Sequence, residues 1–333
     1  MNRFTYQRST SVEQALSSIG GQPSGKFLGG GTNLLDLMKM GVEHPPALID
    51  ITRVPLNQIE PHGDGVRIGS MVRNSAVAAH PLIRDRYPVL SQAILHGASP
   101  QIRNMATTGG NLLQRTRCPY FYDPSYAECN KRVPGSGCAA MNGYNRNHAI
   151  LGGSDHCIAT HPSDMAVALA ALDATVQLKG PQAERSVPLS GFHLLPGTTP
   201  QIETVLKPGE LITSIDLPAL DGTRFAYIKV RDRNSYAFAL VSVAAVIELD
   251  QSGKIRKAHI ALGGVAPKPW KVVEAEHSLT GASPDEAAFG KAAALIVRGA
   301  RPHRYNAFKI ELARRTVVRA LLDATTRTDQ KNG

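Results

Sequence analysis

A chain of 333 residues, 42% hydrophobic and 19% charged, carries enough apolar material for a sizeable core and for two or three domains. Its opening, MNRFTYQRST, lacks the apolar core of a secretory signal, and its most apolar run, MAVALAALDATVQL from Met165, is broken by Asp173 and too short to span a bilayer, so the chain reads as soluble with no export signal of its own. The formal charge of +10 is spread along the chain, without a dense basic tract or an aromatic platform; this argues against nucleic acid and for an anionic cofactor or an acidic partner surface.

In chain order, KFLGGGTNLLDLMKM predicts a short strand, a glycine turn and a helix, with ALIDI at 47–51 as the next strand. GVRIGSMV at 65–72 reads as another strand, after which Asn74 is placed to cap a helix running toward AVAAHPLI. VLSQAILHGA reads as a helix ending at Gly97. Residues 115–157 break this pattern: they are rich in Pro, Gly, Asn, Tyr and Cys and show no period. A loop that long inside a compact domain is functional or is tied down by something other than packing. Regular structure resumes at HPSDMAVALAALDATVQL, where Ser163 and Asp164 suit a helix N-terminus and Thr175 onward suits a strand. FAYIKVRD, AFALVSVAAVIEL and KAHIALGGV read as three strands, joined partly by the DQSGK turn at 250–254 and followed by helices near 284–299 and 304–325. That is an α+β C-terminal domain, and the tail TTRTDQKNG reads as disordered. No internal repeat is present.

Two glycine turns carry the first chemical signal. Gly29-Gly30-Gly31-Thr32-Asn33 lies between a strand and a helix, where glycines let the backbone approach a diphosphate and free N–H groups favour negative charge. It is neither G-x-G-x-x-G nor a Walker loop. Thr107-Thr108-Gly109-Gly110-Asn111, followed by Leu112-Leu113, has a similar make-up. Neither turn is specific alone; as a pair they suit one ligand held from two sides.

The second signal is the cysteines. All four, Cys118, Cys129, Cys138 and Cys157, fall in the aperiodic segment with the spacing C-x10-C-x8-C-x18-C. This is neither the ferredoxin pattern nor a C-x2-C zinc pattern, and by spacing a cluster, zinc, two disulfides or unrelated thiols all remain open. Three features favour a metal centre. The segment needs something to fix it. Pro119, Pro134 and the turn Gly135-Ser136-Gly137 suit the gathering of thiolates and N–H groups. Arg115, Arg117, Lys131 and Arg132 add positive charge that favours deprotonated thiols. His148, His156 and His161 lie close by and read as surface or packing residues, with His156 directly beside Cys157.

KFLGGGTNLLDLMK, QIRNMATTGGNLLQ, HPSDMAVAL, FAYIKVRDRNSYAFALVSVAAVI and ALGGVAPKPWKVVEAE, in that order, resemble the FAD-binding subunit of the molybdenum hydroxylases, the xanthine dehydrogenase and aldehyde oxidoreductase family. The resemblance runs from Phe4 to about Ala324 and is strongest to the FAD subunits of bacterial periplasmic aldehyde oxidoreductases, whose cysteine-bearing insertion looks like this one. It implies an α+β fold: a two-subdomain FAD-binding domain of the vanillyl-alcohol-oxidase type over 1–223, with subdomains of about 1–55 and 56–223 and a cysteine insertion at 115–158. A small C-terminal α+β domain at 224–325 and a disordered tail at 326–333 would follow.

The resemblance also implies site residues. Lys26, Phe27, Leu28, Gly29, Gly30, Gly31, Thr32, Asn33 and Leu34 would form the pyrophosphate loop, and Thr107, Thr108, Gly110 and Asn111 the second wall. Asp164 matches an aspartate near the flavin, and Leu211 and Lys229 match positions flanking the ring; read blandly, Asp164 caps its helix and Lys229 is an exposed cation. Tyr236 is placed to flank the ring. The matching insertion carries a [4Fe–4S] cluster, which would make Cys118, Cys129, Cys138 and Cys157 its ligands.

No nucleophile stands beside a base at a recognisable spacing, and the [2Fe–2S] cysteine motifs are absent from this sequence. The expectation is therefore an electron-transfer subunit of a heterotrimer. A molybdenum subunit oxidises substrate, a [2Fe–2S] subunit carries the electrons, and FAD in this chain delivers them to an external acceptor. Export attached to a signal-bearing partner would make it periplasmic; otherwise it is cytoplasmic. The rival readings are a self-contained flavin oxidase of a small alcohol or aldehyde, and a scaffold protein that has lost FAD.

Overall fold

The computed structural model describes residues 2–22, 24–220 and 222–326. Three sheets organise it. Near the N-terminus, β1 (Thr5–Arg8), β2 (Lys26–Leu28) and β3 (Ala47–Asp50) form a parallel sheet in the order β1-β3-β2. Parallel neighbours need crossovers, and the helices Val12–Gly20 and Leu34–Lys39 provide them. The first crossover was not expected from the sequence, although its signal is present. Ser11 accepts a hydrogen bond from the Gln14 amide, Gln14 reaches back to the Thr10 amide, and Ala15, Leu16 and Ile19 form the buried stripe.

The second sheet is antiparallel and holds β4 (Ile59–His62), β5 (Gly65–Gly69), β6 (Thr175–Lys179), β7 (Glu184–Pro188) and β8 (Leu211–Leu217) in the order β4-β5-β8-β6-β7. Pro61 sits on edge strand β4, where a missing N–H leaves no gap in the ladder. Between β5 and the cysteine segment lie five short helices, three of them opened by Pro81, Pro88 and Pro100 in the first turn, where proline's fixed φ is tolerated. The helix ending at His96 stops at Gly97 as expected. Asn74 is not a cap: Arg73 holds that position, and the buried Asn74 side chain accepts a hydrogen bond from Asn111 instead. The cysteine segment follows and contains one helical turn, Pro119–Tyr122. Helix Asp164–Ala171 then begins at Ser163, whose hydroxyl accepts from the Ala166 amide.

The third sheet is antiparallel, with β9 (Thr223–Val230), β10 (Val241–Leu249) and β11 (Ile255–Gly263) in the order β11-β10-β9. β10 is central and reads as a continuous apolar run because both of its faces are covered. The helices Glu286–Ile296 and Phe308–Thr326 pack a core around Phe289, Ala313, Val317 and Leu321. The tail expected from 326 lies outside the described residues, except for Thr326, which closes the last helix. Among the described residues no helix is long and apolar enough to cross a membrane.

At the end of β3, Asp50 accepts hydrogen bonds from the Tyr6 hydroxyl, from Arg8 Nε at 3.0 Å and from the Thr52 amide at 2.8 Å. Burial works against its ionisation, yet these donors hold the carboxyl down at about 2, below its ordinary 3.8. A group whose folded pKa is depressed adds stability that is full above its unfolded pKa and is lost as the pH falls through the folded one. Asp50→Asn should therefore lower stability to urea at pH 7, and the deficit should close between about pH 4 and pH 2. A deficit that stays constant through that range would remove Asp50 from the stabilising role.

Candidate functional site: a cavity between two glycine turns, beside a cysteine cluster

The two glycine turns touch. A Cβ added to Gly30 would overlap the Met105 carbonyl oxygen, and one on Gly29 would meet Thr107 Oγ1 at 2.9 Å. Gly31 has φ of 75°, in the left-handed region. On the other side, Thr107 Oγ1 accepts the Gly110 amide at 3.2 Å, and a Cβ on Gly110 would lie 2.8 Å from that oxygen. The requirement for glycine at position 30 thus comes from the protein's own backbone as well as from any ligand.

Beside this junction is a cavity of about 540 Å3, within the range that holds cofactors. Residues 26–34, Thr107 and Gly110 line it. Thr108, Asn111, Asp164, Leu211 and Lys229 do not. Thr108 is turned inward, with its hydroxyl and amide both on the Val72 carbonyl at 2.9 Å. The Asn111 side chain donates to Asn74 at 2.7 Å and accepts from Gln114 and Ser163. Leu211 packs in the N-terminal core with Ala15, Leu16 and Ile19. Tyr236, at φ of 50°, is exposed.

Sequence reasoning missed the far wall, which is drawn from Arg115, Lys131, His161, His193 and residues 201–204 and 206–210. Arg115 pairs with Glu43 and Glu203, and Lys131 Nζ lies 2.6 Å from Glu203 and 2.9 Å from the Pro200 carbonyl. His161 and His193 face each other with centroids 4.4 Å apart. Burial pushes His193 down to about 4 and His161 well below its ordinary value, so both rings are neutral at pH 7. Nε2 of His193 is 2.9 Å from the Leu112 carbonyl, while Nδ1 of His193 and Nε2 of His161 have no protein partner. His161 is thus a wall of the cavity, not a surface or packing residue.

Asp164 and Lys229 form a separate buried ion pair at 2.7 Å. The Tyr227 hydroxyl donates to the same carboxylate at 2.6 Å, and Lys229 also donates to the His96 carbonyl at 2.9 Å. Burial, followed by the Asp164 charge, pushes the Tyr227 hydroxyl well above its ordinary value, which keeps it a donor. Lys229 is therefore not an exposed cation.

All four cysteines are free thiols, and Cys129 and Cys138 face each other across an isolated antiparallel bridge. They are electrostatic neighbours: Cys157 and Cys129 both act on Cys118, and Cys138 and Cys129 both act on Cys157. Burial, with these neighbours adding to it, pushes Cys118 up to about 12 and Cys157 up to about 11. The expectation that flanking cations favour thiolates is thus corrected. Arg115 is taken up by Glu43 and Glu203, and Arg117 by Asp36 and Tyr122. Arg132 is taken up by the carbonyls of Tyr120, Phe121, Asp123 and Tyr126. Of these cations only Lys131 opposes the rise at Cys157, and the Ala159 amide opposes it as well.

Backbone N–H groups do point at the sulfurs. The Ala159 amide donates to Cys157 Sγ at 3.4 Å, Ala140, Ile158 and Met141 serve Cys138, and Phe121 and Tyr120 serve Cys118. His148 is buried with Nε2 3.1 Å from Cys118 Sγ, whereas His156 is exposed. Among the described residues no three His, Cys, Asp or Glu side chains are gathered tightly enough for a single metal ion. Cys129 and Cys157 are buried and Cys118 and Cys138 half-buried, and backbone N–H groups reach three of the four sulfurs, a donor set of the kind an iron–sulfur centre takes.

This fold and site define a flavin-binding subunit. Residues 2–220 match the profile of the FAD binding domain in molybdopterin dehydrogenase, and residues 226–324 match the CO dehydrogenase flavoprotein C-terminal domain. The aldehyde oxidoreductase FAD-binding subunit PaoB of Escherichia coli is 51% identical over 97% of this chain and 99% of that protein. The glyceraldehyde dehydrogenase medium chain of Sulfolobus acidocaldarius is 29% identical over 84% of this chain and 81% of that protein. Among solved structures, a chain of the carbon monoxide dehydrogenase of Hydrogenophaga pseudoflava superposes with a TM-score of 0.77 at 28% identity, covering 98% of this chain and 99% of that one. The protein belongs to the family of FAD-binding subunits of the molybdenum hydroxylases.

Two substitutions probe the geometry. Gly30→Ala should cost about 1–3 kcal/mol by overpacking and lower the FAD content, whereas Gly191→Ala, with nothing within 4 Å of the added Cβ, should change neither. Unaltered flavin and stability in Gly30→Ala would mean that the two turns separate freely. Lys229→Met leaves the buried Asp164 without its cation and should cost about 3–5 kcal/mol in urea unfolding. Adding Asp164→Asn should recover part of that loss, and strict additivity of the two would show that the pair is uncoupled.

Proposed function

We propose that this chain is the FAD-bearing electron-transfer subunit of a heterotrimeric aldehyde oxidoreductase, and that its cysteine insertion holds a [4Fe–4S] cluster on Cys118, Cys129, Cys138 and Cys157. The substrate class follows from 51% identity to the Escherichia coli subunit over nearly the whole of both chains. One observation carries the electron-transfer reading: the cysteine site and the cavity share a wall. Ala159 lines the cavity and its amide donates to Cys157 Sγ. Lys131 also lines the cavity and acts electrostatically on the same sulfur. Redox groups held on either side of such a wall exchange electrons through a few bonded atoms.

When bound, FAD would take electrons one at a time and pass them on singly or as a pair, which suits a relay from one-electron iron–sulfur carriers to an external acceptor. The chain's own residues bind and orient it. Residues 26–34, Thr107 and Gly110 form the contact surface, while Thr108 and Asn111 hold the second turn in place. A role for Asp164, Leu211 and Lys229 at the ring is read from the flavin spectrum of Lys229→Met: an unshifted spectrum confines that pair to packing. Partner subunits would carry the [2Fe–2S] centres and the molybdenum cofactor, and export with a signal-bearing partner would place the complex in the periplasm. The division into 1–223, with its insertion at 115–158, and 224–325 belongs to the same reading.

Anaerobic purification with assay of FAD, iron, labile sulfide and zinc per chain tests the proposal. One FAD with about four irons and matching sulfide is the expected result. Zinc without sulfide would make the insertion a structural site. Cys129→Ser should lose iron while FAD remains, and unchanged iron would remove Cys129 from the ligand set. Oxidation of small aldehydes by the chain alone would replace the subunit reading with that of a self-contained flavin oxidase.

A further inference from the structure

His148 meets Cys118 in addition to the backbone donors of Tyr120 and Phe121. Its Nε2 is 3.1 Å from Cys118 Sγ, and the ring is buried. The residue is fixed from behind. Its carbonyl accepts Lys309 Nζ at 2.9 Å and Asn306 Nδ2 at 3.3 Å, and its ring packs against Tyr120 with centroids 6.1 Å apart. Nδ1 has no partner, so the polar reach of the ring is directed wholly at the sulfur. Among the described residues, Cys118 is the one cysteine whose sulfur has a side-chain hydrogen-bond partner; the sulfurs of Cys138 and Cys157 are served by backbone N–H groups.

We propose that His148 is a positioning residue for the cysteine-held centre: its Nε2–H donates to the Cys118 thiolate and raises the reduction potential of that centre. A donor on a ligand sulfur draws charge away from the metal and favours the reduced state. The donor is also directional. A ring anchored through its main chain by Lys309 and Asn306 keeps its N–H on the sulfur in both redox states, so little rearranges when an electron arrives. This inference rests on the reading that the four cysteines hold an iron–sulfur cluster.

The test uses the intact complex with His148→Phe, which removes the donor and keeps a ring, and His148→Gln, which returns a side-chain N–H. FAD, iron and labile sulfide are counted per chain, and the cluster's midpoint potential is read by an EPR-monitored redox titration. The expected result is full cluster content in both variants, a more negative potential in His148→Phe and a return toward the wild-type value in His148→Gln. An unchanged potential in a fully loaded His148→Phe overturns the proposal. Loss of iron with retention of FAD in either variant also overturns it, because it makes His148 a ligand or an assembly element. Wild-type protein that contains FAD but neither iron nor sulfide sinks the cluster reading itself, a failure distinct from the other two.

Discussion

The backbone-to-backbone approach at Gly30 is the constraint on which the rest of the site depends. The turn after β2 belongs to the parallel sheet, and the Met105 carbonyl belongs to the connection that leaves the antiparallel sheet. Their contact is possible because position 30 has no side chain, and it sets how far apart the two walls of the cavity stand. Thr107 then works in both directions, with its Oγ1 under Gly29 and on the Gly110 amide. From the same turn, Asn33 extends the junction to the cysteine segment: its oxygen accepts the Arg115 amide at 2.8 Å and its amide donates to the Tyr122 hydroxyl at 3.0 Å. The sheets, the cavity and the cysteine insertion therefore share one set of atoms.

The high positive charge takes on a different meaning once the cations are located. Among the described residues three lysines have buried ammonium groups, each with partners in place: Lys229 has the Asp164 carboxylate and the His96 carbonyl, Lys131 a carboxylate and a carbonyl, and Lys309 the carbonyls of His148 and Gly264. Burial draws Lys309 down to about 7. Charges in such places do not steer partners; they tie loops to helices. Burying an unpaired cation is costly, which is why each has partners in place. Part of the +10 that a composition-level reading assigns to a surface is thus internal framework.

The sequence made the two glycine turns legible because close backbone approach demands a residue type that can be seen in a string of letters. It made β10 and helix Asp164–Ala171 legible through their apolar runs and the Ser163 cap. It did not reveal what Asn33 and Asn111 do. Both are motif residues, yet their side chains are spent on internal hydrogen bonds with partners 82 and 37 positions away. Nor did it show that Lys229 meets Asp164 across 65 positions, or that His148 meets Cys118 across 30. Pairings of that kind are set by sheet register and loop path, which leave no local periodicity. The arginines of the cysteine segment misled for a related reason: a cation near a thiol in sequence acts on it only if nothing closer claims it, and the carbonyls around Arg132 claim it first.

The cysteine segment itself shows how a long aperiodic loop stays ordered. Asn145 donates to the Ala140 carbonyl and accepts the Tyr305 amide, Asn306 donates to the carbonyls of His148 and Ala149, and Asn130 closes on the Gly137 amide and the His156 carbonyl. None of these bonds involves a sulfur. The loop is thus shaped by amides and by the C-terminal helix, and the thiols are carried into proximity by a frame that does not need them. Burial keeps the Cys118 and Cys157 thiols protonated, so a metal centre taken up there would release protons while asking for little chain ordering. Ordering entropy is the larger of the two costs for a segment of this length, and here it is met by hydrogen bonds already in place. That division of labour holds the cysteines beside the cavity behind Ala159 in one fixed geometry.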